Sequence, residues 1–210
     1  MQTWPRREHF ELFRKYEYPQ FSLCANVEIT AFRNYVKETG ISFHIAVVYL
    51  LARTANQIPE FRYRIRGDAV IEHDIVHPSS TIMGNDGVFS FCSLQYVDDF
   101  ATFARESAIK IADVQQRPRL SEEDKDRDDL LFMTVVPWVS FTGFMHPMRL
   151  DPSDSVPRIA WGKYFEEGER IKMPLGVQGH HALMDGLHAG RYYEIAQEYF
   201  HHPETILGAI

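Results

Sequence analysis

The decisive stretch of this chain reads Gln178-Gly179-His180-His181-Ala182-Leu183-Met184-Asp185-Gly186-Leu187-His188. It joins a run of strand-forming residues to a segment with helical periodicity, so it predicts a tight turn between a strand and a helix. The turn holds an imidazole and a carboxylate. General-base catalysis uses an imidazole to remove a proton from a hydroxyl or thiol. We therefore interpret His181 as a candidate base and Asp185 as the acid that orders the turn.

The same turn admits a metal site or a purely structural role. Four of its side chains are possible zinc ligands, namely His180, His181, Asp185 and His188. His180 and His181 are adjacent and point to opposite faces of an extended strand, so we predict no metal. Histidines at a strand end can serve in packing alone, and Asp-Gly is a common turn pair. The absence of a nearby Ser or Cys nucleophile favours direct general-base catalysis.

The composition predicts one globular domain over residues 1–210. The chain is 45% hydrophobic and 24% charged, and its formal charge of −7 without a basic stripe argues against a nucleic-acid partner. That charge does not exclude an anionic cofactor such as coenzyme A. Cys24 and Cys92 are far apart and form no CxxC pair, which fits a reducing cytoplasm. No apolar run approaches the roughly 20 residues that span a bilayer.

Periodicity predicts an α/β fold in which strands and helices are interspersed. Alternating patterns predict strands at 21–29, 88–96, 130–141, 158–165 and 170–178, and a hairpin of 61–65 with 69–72. Helical patterns occupy 30–37, with an end at Gly40, and a second segment capped by Ser42 and ended by Pro59. A third helical pattern starts at Asp98 or Asp99 and runs to about Gln116, and a fourth occupies 186–200. Residues 117–129 are charge-dense and predict a surface loop. We expect a single two-layer domain, with helices on one face of a mixed β-sheet.

Ordered matches along nearly the whole chain resemble the chloramphenicol acetyltransferase family, and they are more specific than the His-Asp-Gly turn alone. The matching stretches are Trp4-Pro5-Arg6-Arg7-Glu8-His9-Phe10-Glu11, Glu28-Ile29-Thr30-Ala31-Phe32, Pro59-Glu60-Phe61-Arg62, Asp74-Ile75-Val76-His77-Pro78, Pro137-Trp138-Val139-Ser140-Phe141, Gly162-Lys163-Tyr164 and Met173-Pro174-Leu175 before the turn. The resemblance implies a coenzyme A-dependent acyltransferase fold. It also implies a homotrimer with active sites at subunit interfaces, acetyl-CoA as the donor, and transfer to a primary hydroxyl of chloramphenicol.

The resemblance also implies roles for particular residues. His181 matches the general base, and Asp185 matches an acid that forms a structural ion pair with an arginine near the N-terminus, for which we take Arg6. Thr134 stands where the family usually has a serine that supports the tetrahedral oxyanion. Threonine keeps that hydroxyl, although its extra methyl restricts the rotamer. From the residue alone, Thr134 is also an ordinary strand threonine.

Three aromatic residues complete the implied site. Phe13 and Phe21 match positions of the acceptor pocket, and their rings suit a nitrophenyl group. Trp138 is placed near the site or the coenzyme channel, with packing in the core as the alternative. The segment 17–19 (Glu-Tyr-Pro) departs from the small or apolar residues expected there, and a buried carboxylate beside an apolar antibiotic is costly.

Two other functions therefore stay open beside chloramphenicol acetylation. One is a related O-acetyltransferase with a different small-molecule acceptor, which the departures at 17–19 permit. The other is a non-catalytic trimeric protein that binds the drug without turning it over, because a fold does not prove an activity. The acyltransferase core of 2-oxo acid dehydrogenase complexes has the same turn, but it normally follows lipoyl domains and linkers, which are not recognisable in these residues.

Overall fold

A computed structural model describes residues 4–118, 127–148, 151 and 153–208. The helices are α1 (Arg7–Phe13), α2 (Thr30–Thr39), α3 (Phe43–Asn56), α4 (Pro59–Arg62), α5 (Phe100–Gln116), α6 (Gly186–His201) and α7 (Glu204–Leu207). The strands are β1 (Gln20–Glu28), β2 (Tyr63–Arg66), β3 (Ala69–Glu72), β4 (His77–Met83), β5 (Phe89–Ser93), β6 (Leu130–Val136), β7 (Arg158–Gly162), β8 (Phe165–Glu167) and β9 (Arg170–His180). None of these described helices is long and apolar enough to cross a membrane.

The main sheet is mixed, as the sequence predicts. Its strand order is β1-β9-β7-β6-β4-β5, β8 pairs with β9, and β2 forms a separate hairpin with β3. Strand β6 runs parallel to β4 and β7, whereas the other neighbours are antiparallel. The register places Thr134 opposite Ala160, Ala160 opposite Gly176, and Gly176 opposite Cys24. This row of four residues crosses the sheet and relates β6 to the strand that ends in the His181 turn.

The helices pack on one face of the main sheet, which confirms the predicted two-layer arrangement. Helix α3 contacts β4, α5 contacts β4 and β5, α6 contacts β1, and α2 contacts β9. Alternate residues of β9 supply the core beneath them, and Met173, Leu175 and Val177 are all 0% exposed. A side chain at Gly176 would instead meet Cys24 and Phe144. We call the face that carries the Cys24 to Thr134 row the outer face.

Helix boundaries follow the capping residues. The Ser42 side chain accepts a hydrogen bond from the backbone N–H of Ile45 and starts α3, and Asp99 does the same for Thr102 at α5. Gly40 ends α2 with a φ of 71°, a left-handed conformation that glycine adopts without a Cβ clash. These three positions confirm the sequence-based boundaries.

Strand β4 is the main element that periodicity does not predict. Its sequence is mostly polar, but its hydroxyls find partners inside the protein, so they do not need solvent. The Ser93 hydroxyl donates to that of Ser79 at 2.9 Å, and Ser80 Oγ lies 3.4 Å from His44 Nε2. A buried strand with satisfied serines does not show the apolar alternation on which the prediction depends.

Several predicted boundaries are wrong. Strand β6 ends at Val136, because Pro137 lacks the N–H that would continue the ladder. Residues 61 and 62 belong to α4, so the first arm of the hairpin starts at Tyr63. The predicted strand 158–165 divides into β7 and β8. Of the predicted surface loop, residues 119–126 lie outside the described residues.

Candidate active site

The His181 turn is held by backbone hydrogen bonds on both sides. Strand β9 ends at His180 and α6 begins at Gly186. The His181 N–H donates to the carbonyl of Pro19 at 2.8 Å, which continues the pairing of β1 with β9 by one residue. The N–H groups of Leu183 and Met184 both donate to the His180 carbonyl, at 2.9 and 3.0 Å. The backbone that carries the imidazole is therefore fixed by the sheet.

The hydrogen bond to the His181 ring sets which nitrogen can act as a base. Nδ1 lies 3.1 Å from the carbonyl oxygen of Met184. A carbonyl only accepts, so Nδ1 carries the hydrogen and Nε2 keeps its lone pair. In the described part of the chain Nε2 has no hydrogen-bonding partner. Nε2 is therefore the ring atom that can accept a proton from a substrate.

Two phenylalanine rings flank the imidazole. The Phe13 ring, from the end of α1, stacks on His181 with centroids 4.2 Å apart and planes inclined by 16°. The Phe21 ring, from the start of β1, lies 5.3 Å away at 53°. These contacts limit the rotation of the imidazole and give it apolar surroundings, so the ring has an apolar wall on which an aromatic substrate can pack.

Asp185 acts on the turn and does not contact the imidazole. Its Oδ2 forms an ion pair with Nη1 of Arg6, and Arg6 Nη2 donates to the His181 carbonyl at 3.1 Å. Its Oδ1 accepts from the N–H of Leu187 at 3.0 Å, which caps α6. Burial opposes ionisation of Asp185, but the Arg6 and Leu187 hydrogen bonds and the nearby positive charge outweigh it and lower its pKa. The carboxylate is therefore ionised and ties the N-terminal segment to the turn.

Gly179 leaves room beneath the turn for Met184. A Cβ at position 179 would clash with the Sδ and Cγ atoms of Met184, closer than real contacts allow. Met184 is 1% exposed, so it has little space to move aside. Because the Met184 carbonyl holds His181 Nδ1, this glycine contributes indirectly to the orientation of the base.

A cavity of about 350 Å³ opens between the start of α3 and the ends of β6 and β7. Four of its eight lining residues are aromatic, counting His44, and one is a lysine. The lining residues are Phe43, His44, Val135, Pro137, Trp161, Gly162, Lys163 and Tyr164. Burial lowers the pKa of His44 to about 4, so its ring is neutral at physiological pH. The carboxyl ends of parallel strands facing a helix N-terminus form a common site for ligands, especially anionic ones.

No local sequence pattern predicts this cavity. The available signal was positional, because Ser42 caps a predicted helix and Lys163 follows a predicted strand. Only the sheet order, with β6 and β7 side by side, brings these two segments together. As for metals, no group of three or more possible ligands from His, Cys, Asp and Glu occurs among the described residues.

Comparison with known proteins identifies the family. The family model described as "CAT: Chloramphenicol acetyltransferase" matches residues 1–197. This chain belongs to the chloramphenicol acetyltransferase family. Among its relatives, Chloramphenicol acetyltransferase 2 of Escherichia coli is 34% identical over 198 residues, covering 94% of this chain and 93% of that protein. A chloramphenicol acetyltransferase of a Klebsiella species is 33% identical over 199 residues, covering 93% and 90%.

Solved structures agree with this family assignment. A structure of a chloramphenicol acetyltransferase superposes with a TM-score of 0.85 at 29% identity and covers 95% of this chain and 96% of its own. The dihydrolipoamide acetyltransferase of Azotobacter vinelandii superposes with a TM-score of 0.71 over 95% of this chain and 88% of its own, at 16% identity. That second likeness shows a shared fold.

The structure places Thr134 away from the His181 turn of the same chain, although the family resemblance links the two residues. Thr134 lies on β6, two strands from β9, in the row that contains Gly176. With about 4.8 Å between strands and about 3.3 Å per residue along β9, the Cα atoms of Thr134 and His180 are roughly 16 Å apart. A threonine hydroxyl cannot span that distance, so a site that uses both residues needs a second chain.

Trp138 lies in the segment that follows β6, and its side chain is 67% exposed. Packing in the core of the single chain, the alternative considered for this residue, is therefore wrong. The cavity is lined by its neighbour Pro137 and not by the tryptophan itself. Among the residues implied by the family resemblance, Phe13 and Phe21 flank the His181 ring. Arg6 and Asp185 hold the turn that carries it, whereas Thr134 and Trp138 belong to β6 and the segment after it.

Proposed function

We propose that this protein transfers an acetyl group from acetyl-CoA to a hydroxyl of chloramphenicol, with His181 as the general base. The observation that carries the proposal is the His181 ring. Its Nδ1 is committed to the Met184 carbonyl, its Nε2 has no partner among the described residues, and Phe13 and Phe21 flank it. Membership of the chloramphenicol acetyltransferase family supports both substrates.

The chemistry follows from the free lone pair. His181 Nε2 takes the hydroxyl proton as the acceptor oxygen attacks the thioester carbonyl carbon, which gives a tetrahedral oxyanion. Collapse of that intermediate breaks the carbon–sulfur bond, and the imidazolium returns the proton to the departing thiolate. The products are the acetyl ester and free coenzyme A. The Arg6–Asp185 ion pair keeps the turn in place and takes no part in the proton transfer.

Thr134 is proposed to stabilise the oxyanion from a neighbouring chain, in a homotrimer with active sites at subunit interfaces. The roughly 16 Å between Thr134 and the His181 turn supports this arrangement, because one chain alone does not bring them together. Exposed apolar side chains near the β4–β5 edge support burial against another copy. They are Met83 at 44%, Val88 at 57%, Phe89 at 47% and Phe91 at 48% exposure. Trp138 is proposed to be covered in the same assembly.

The cavity at the end of β6 and β7 is proposed to hold part of acetyl-CoA. Aromatic rings from Phe43, Trp161 and Tyr164 suit stacking on a nucleobase. The Lys163 ammonium and the N-terminus of α3 suit phosphate groups, since both attract negative charge. The ring of His44 is neutral, so it adds no charge to the positive potential from Lys163 and the N-terminus of α3.

A related O-acetyltransferase with another acceptor is the second candidate. The segment at 17–19 supports it, because it adjoins the site and carries polar groups. Tyr18 is 41% exposed, its hydroxyl lies 3.5 Å from Gln178 Nε2, and Pro19 binds the His181 N–H. Glu17 is exposed in the single chain, so its carboxylate carries no burial cost there. An acceptor with more polar groups than chloramphenicol would suit these residues.

We further propose that residues 1–210 form a single acetyltransferase-like domain that functions in the cytoplasm. A hydrophobic cluster that extends from β1 to α7 supports the single domain. Cys24 and Cys92 form no CxxC pair, and Cys24 is a free thiol, which is consistent with a reducing compartment.

The proposal is tested by thiol release from acetyl-CoA with and without chloramphenicol. We expect release that depends on chloramphenicol, and a loss of about 10² to 10⁴-fold in His181→Ala with folding intact. His9→Ala, which removes an exposed histidine of α1, is the matched control and should keep full activity. Turnover of other alcohols in preference to chloramphenicol would favour the second candidate. Chloramphenicol binding without thiol release would identify a non-catalytic trimeric drug-binding protein.

A further inference from the structure

A buried carboxylate lies behind the His181 turn. Glu60, in the short helix α4, has its Oε1 3.3 Å from Nε2 of His188, and the two side chains are only 17% and 8% exposed. The other oxygen, Oε2, is buried and has no hydrogen-bonding partner among the described residues. Keeping a carboxylate half satisfied is costly, and an apolar residue would avoid that cost. Because of this cost, we look for a function that requires a carboxylate at position 60.

The partner of Glu60 is the residue that completes the cap of α6. The N–H of Asp185 donates to His188 Nδ1 at 3.0 Å, while Asp185 Oδ1 accepts from Leu187. In a capping box this return contact is ordinarily made by Glu or Gln, whose oxygen always accepts. An imidazole nitrogen accepts only when it carries no hydrogen. The cap at Asp185 therefore depends on the tautomer of His188.

Glu60 selects that tautomer. Asp185 Oδ1 also lies 2.9 Å from His188 Nδ1 and on its own would favour a hydrogen on that nitrogen. The carboxylate of Glu60 beside Nε2 favours the hydrogen on Nε2 instead, which leaves the lone pair of Nδ1 for the Asp185 N–H. Asp185 in turn pairs with Arg6, and Arg6 holds the carbonyl of His181 at 3.1 Å. A continuous chain of polar contacts thus connects Glu60 on α4 with the backbone of His181.

We propose that Glu60 is a positioning residue for the acetyl-transfer site, acting through His188 and Asp185 on the backbone of His181. This inference rests on the proposed function. Glu60 touches neither His181 nor a reacting atom, so its removal should slow the chemical step without weakening substrate binding. A displacement of the base of about 1 Å is enough to lower turnover by roughly a hundredfold.

The kinetic test compares Glu60→Ala and Glu60→Gln with Glu72→Ala. Glu72 is the matched control, because it pairs with Arg62 of α4 at 2.8 Å but belongs to β3 and is 46% exposed. We expect Glu60→Ala to lower kcat by about 10- to 100-fold, with the KM for acetyl-CoA and for chloramphenicol changed less than about twofold. Glu60→Gln keeps an acceptor oxygen and should recover most of the lost kcat. Equal losses in Glu60→Ala and Glu72→Ala would overturn the proposal.

The spectroscopic test reads the His188 ring directly by ¹⁵N NMR near neutral pH. We expect a hydrogen on Nε2 and none on Nδ1 in the wild-type protein, and a mixture of tautomers in Glu60→Ala. A wild-type ring with a hydrogen on Nδ1 would refute the mechanism. This measurement needs no turnover, so an inactive wild-type enzyme would disprove the proposed function while the ring spectrum still decides the role of Glu60.

A double-mutant cycle with Asp185→Asn separates positioning from general destabilisation. If Glu60 acts through Asp185, its removal should cost much less kcat in the Asp185→Asn background than in the wild type. Full additivity of the two losses would contradict the route through His188 and Asp185. Thermal unfolding of each variant shows whether the folded state is retained under assay conditions.

Discussion

The imidazole of His181 stacks on the ring of Phe13, with centroids 4.2 Å apart and planes inclined by 16°. Because this contact fixes the direction of Nε2, we expect Phe13→Leu to lower kcat/KM for chloramphenicol by about tenfold. The neighbouring Leu12 is 52% exposed on the same helix, so Leu12→Ala is the matched control and should have little effect. Steady-state kinetics of both variants checks this, and an unchanged kcat/KM in Phe13→Leu would contradict it.

Gly179 and Gly190 make a matched pair of glycine substitutions. Gly179→Ala forces a Cβ against Met184 and should destabilise the protein by about 1–3 kcal/mol and lower kcat. Gly190 lies in α6 with open space around it, so Gly190→Ala should stabilise the fold by about 0.5–1 kcal/mol with activity retained. Urea unfolding and kinetics of the two variants test the difference. Equal stability would mean that Met184 can move without cost.

His44 should make the fold sensitive to acid. Burial lowers its pKa from 6.5 to about 4, so between these values the unfolded chain binds a proton that the folded protein does not. The stability contribution is present above about pH 6.5 and is lost as pH falls towards 4, to a total of about 3 kcal/mol. His146, whose pKa burial also lowers to about 4, adds to the loss in the same direction.

Urea unfolding at several pH values between 7 and 4 measures this effect. The His44→Gln variant should lose less stability on acidification than the wild type, because the substituted side chain does not titrate. His201 is the matched control, since it is 41% exposed and pairs with Glu28 at the surface. Parallel pH profiles for the wild type and His44→Gln would show that His44 makes no contribution.

Lys163 should contribute to the binding of acetyl-CoA and not to the binding of chloramphenicol. The cavity that it lines is proposed to bind acetyl-CoA, so we expect Lys163→Ala to raise the KM for acetyl-CoA by about 3- to 10-fold, an effect that should shrink at high salt. Lys37→Ala, in the last turn of α2, serves as the control. A rise in the KM for chloramphenicol alone would instead place the acceptor in this cavity.

Sites shared between chains should be restored by mixing inactive variants. Thr134→Ala removes the proposed oxyanion donor and should lower kcat by about 10² to 10³-fold. When Thr134→Ala and His181→Ala chains are unfolded and refolded together, some interfaces pair an intact His181 with an intact Thr134. We expect activity well above that of either variant alone. A mixture that stays as inactive as its components would argue against a site between chains.

The sequence predicted most strands of the sheet but missed β4. Alternation located β1, β6 and β9 because their inward residues are consistently apolar, and Ser42 and Asp99 located two helix starts through their caps. Strand β4 lacked that signal, since its buried serines have partners on other elements: Ser93 of β5 for Ser79, and His44 of α3 for Ser80. Such partners become visible only once the strands are assembled.

In the candidate site, too, some residues could be predicted from the sequence and others could not. The His181 turn was recognisable because its residues are contiguous, and the family resemblance suggested Arg6, Phe13 and Phe21. The roles of Glu60 and His44 were not recognisable, because each depends on a residue distant in sequence: His188 for Glu60 and Trp161 for His44. Local periodicity carries no information about contacts of that range.

The partner of His181 Nδ1 is a neutral carbonyl and not a carboxylate. Among the residues that the structure describes, no anion therefore contacts an imidazolium formed at this ring, and the carboxylate of Asp185 is already paired with Arg6. We expect the proton taken up by His181 to be transferred to the coenzyme A sulfur almost as soon as the ester forms. Replacing exchangeable hydrogens by deuterium should then slow turnover measurably, as in a reaction whose proton movements are not separated from bond making and breaking.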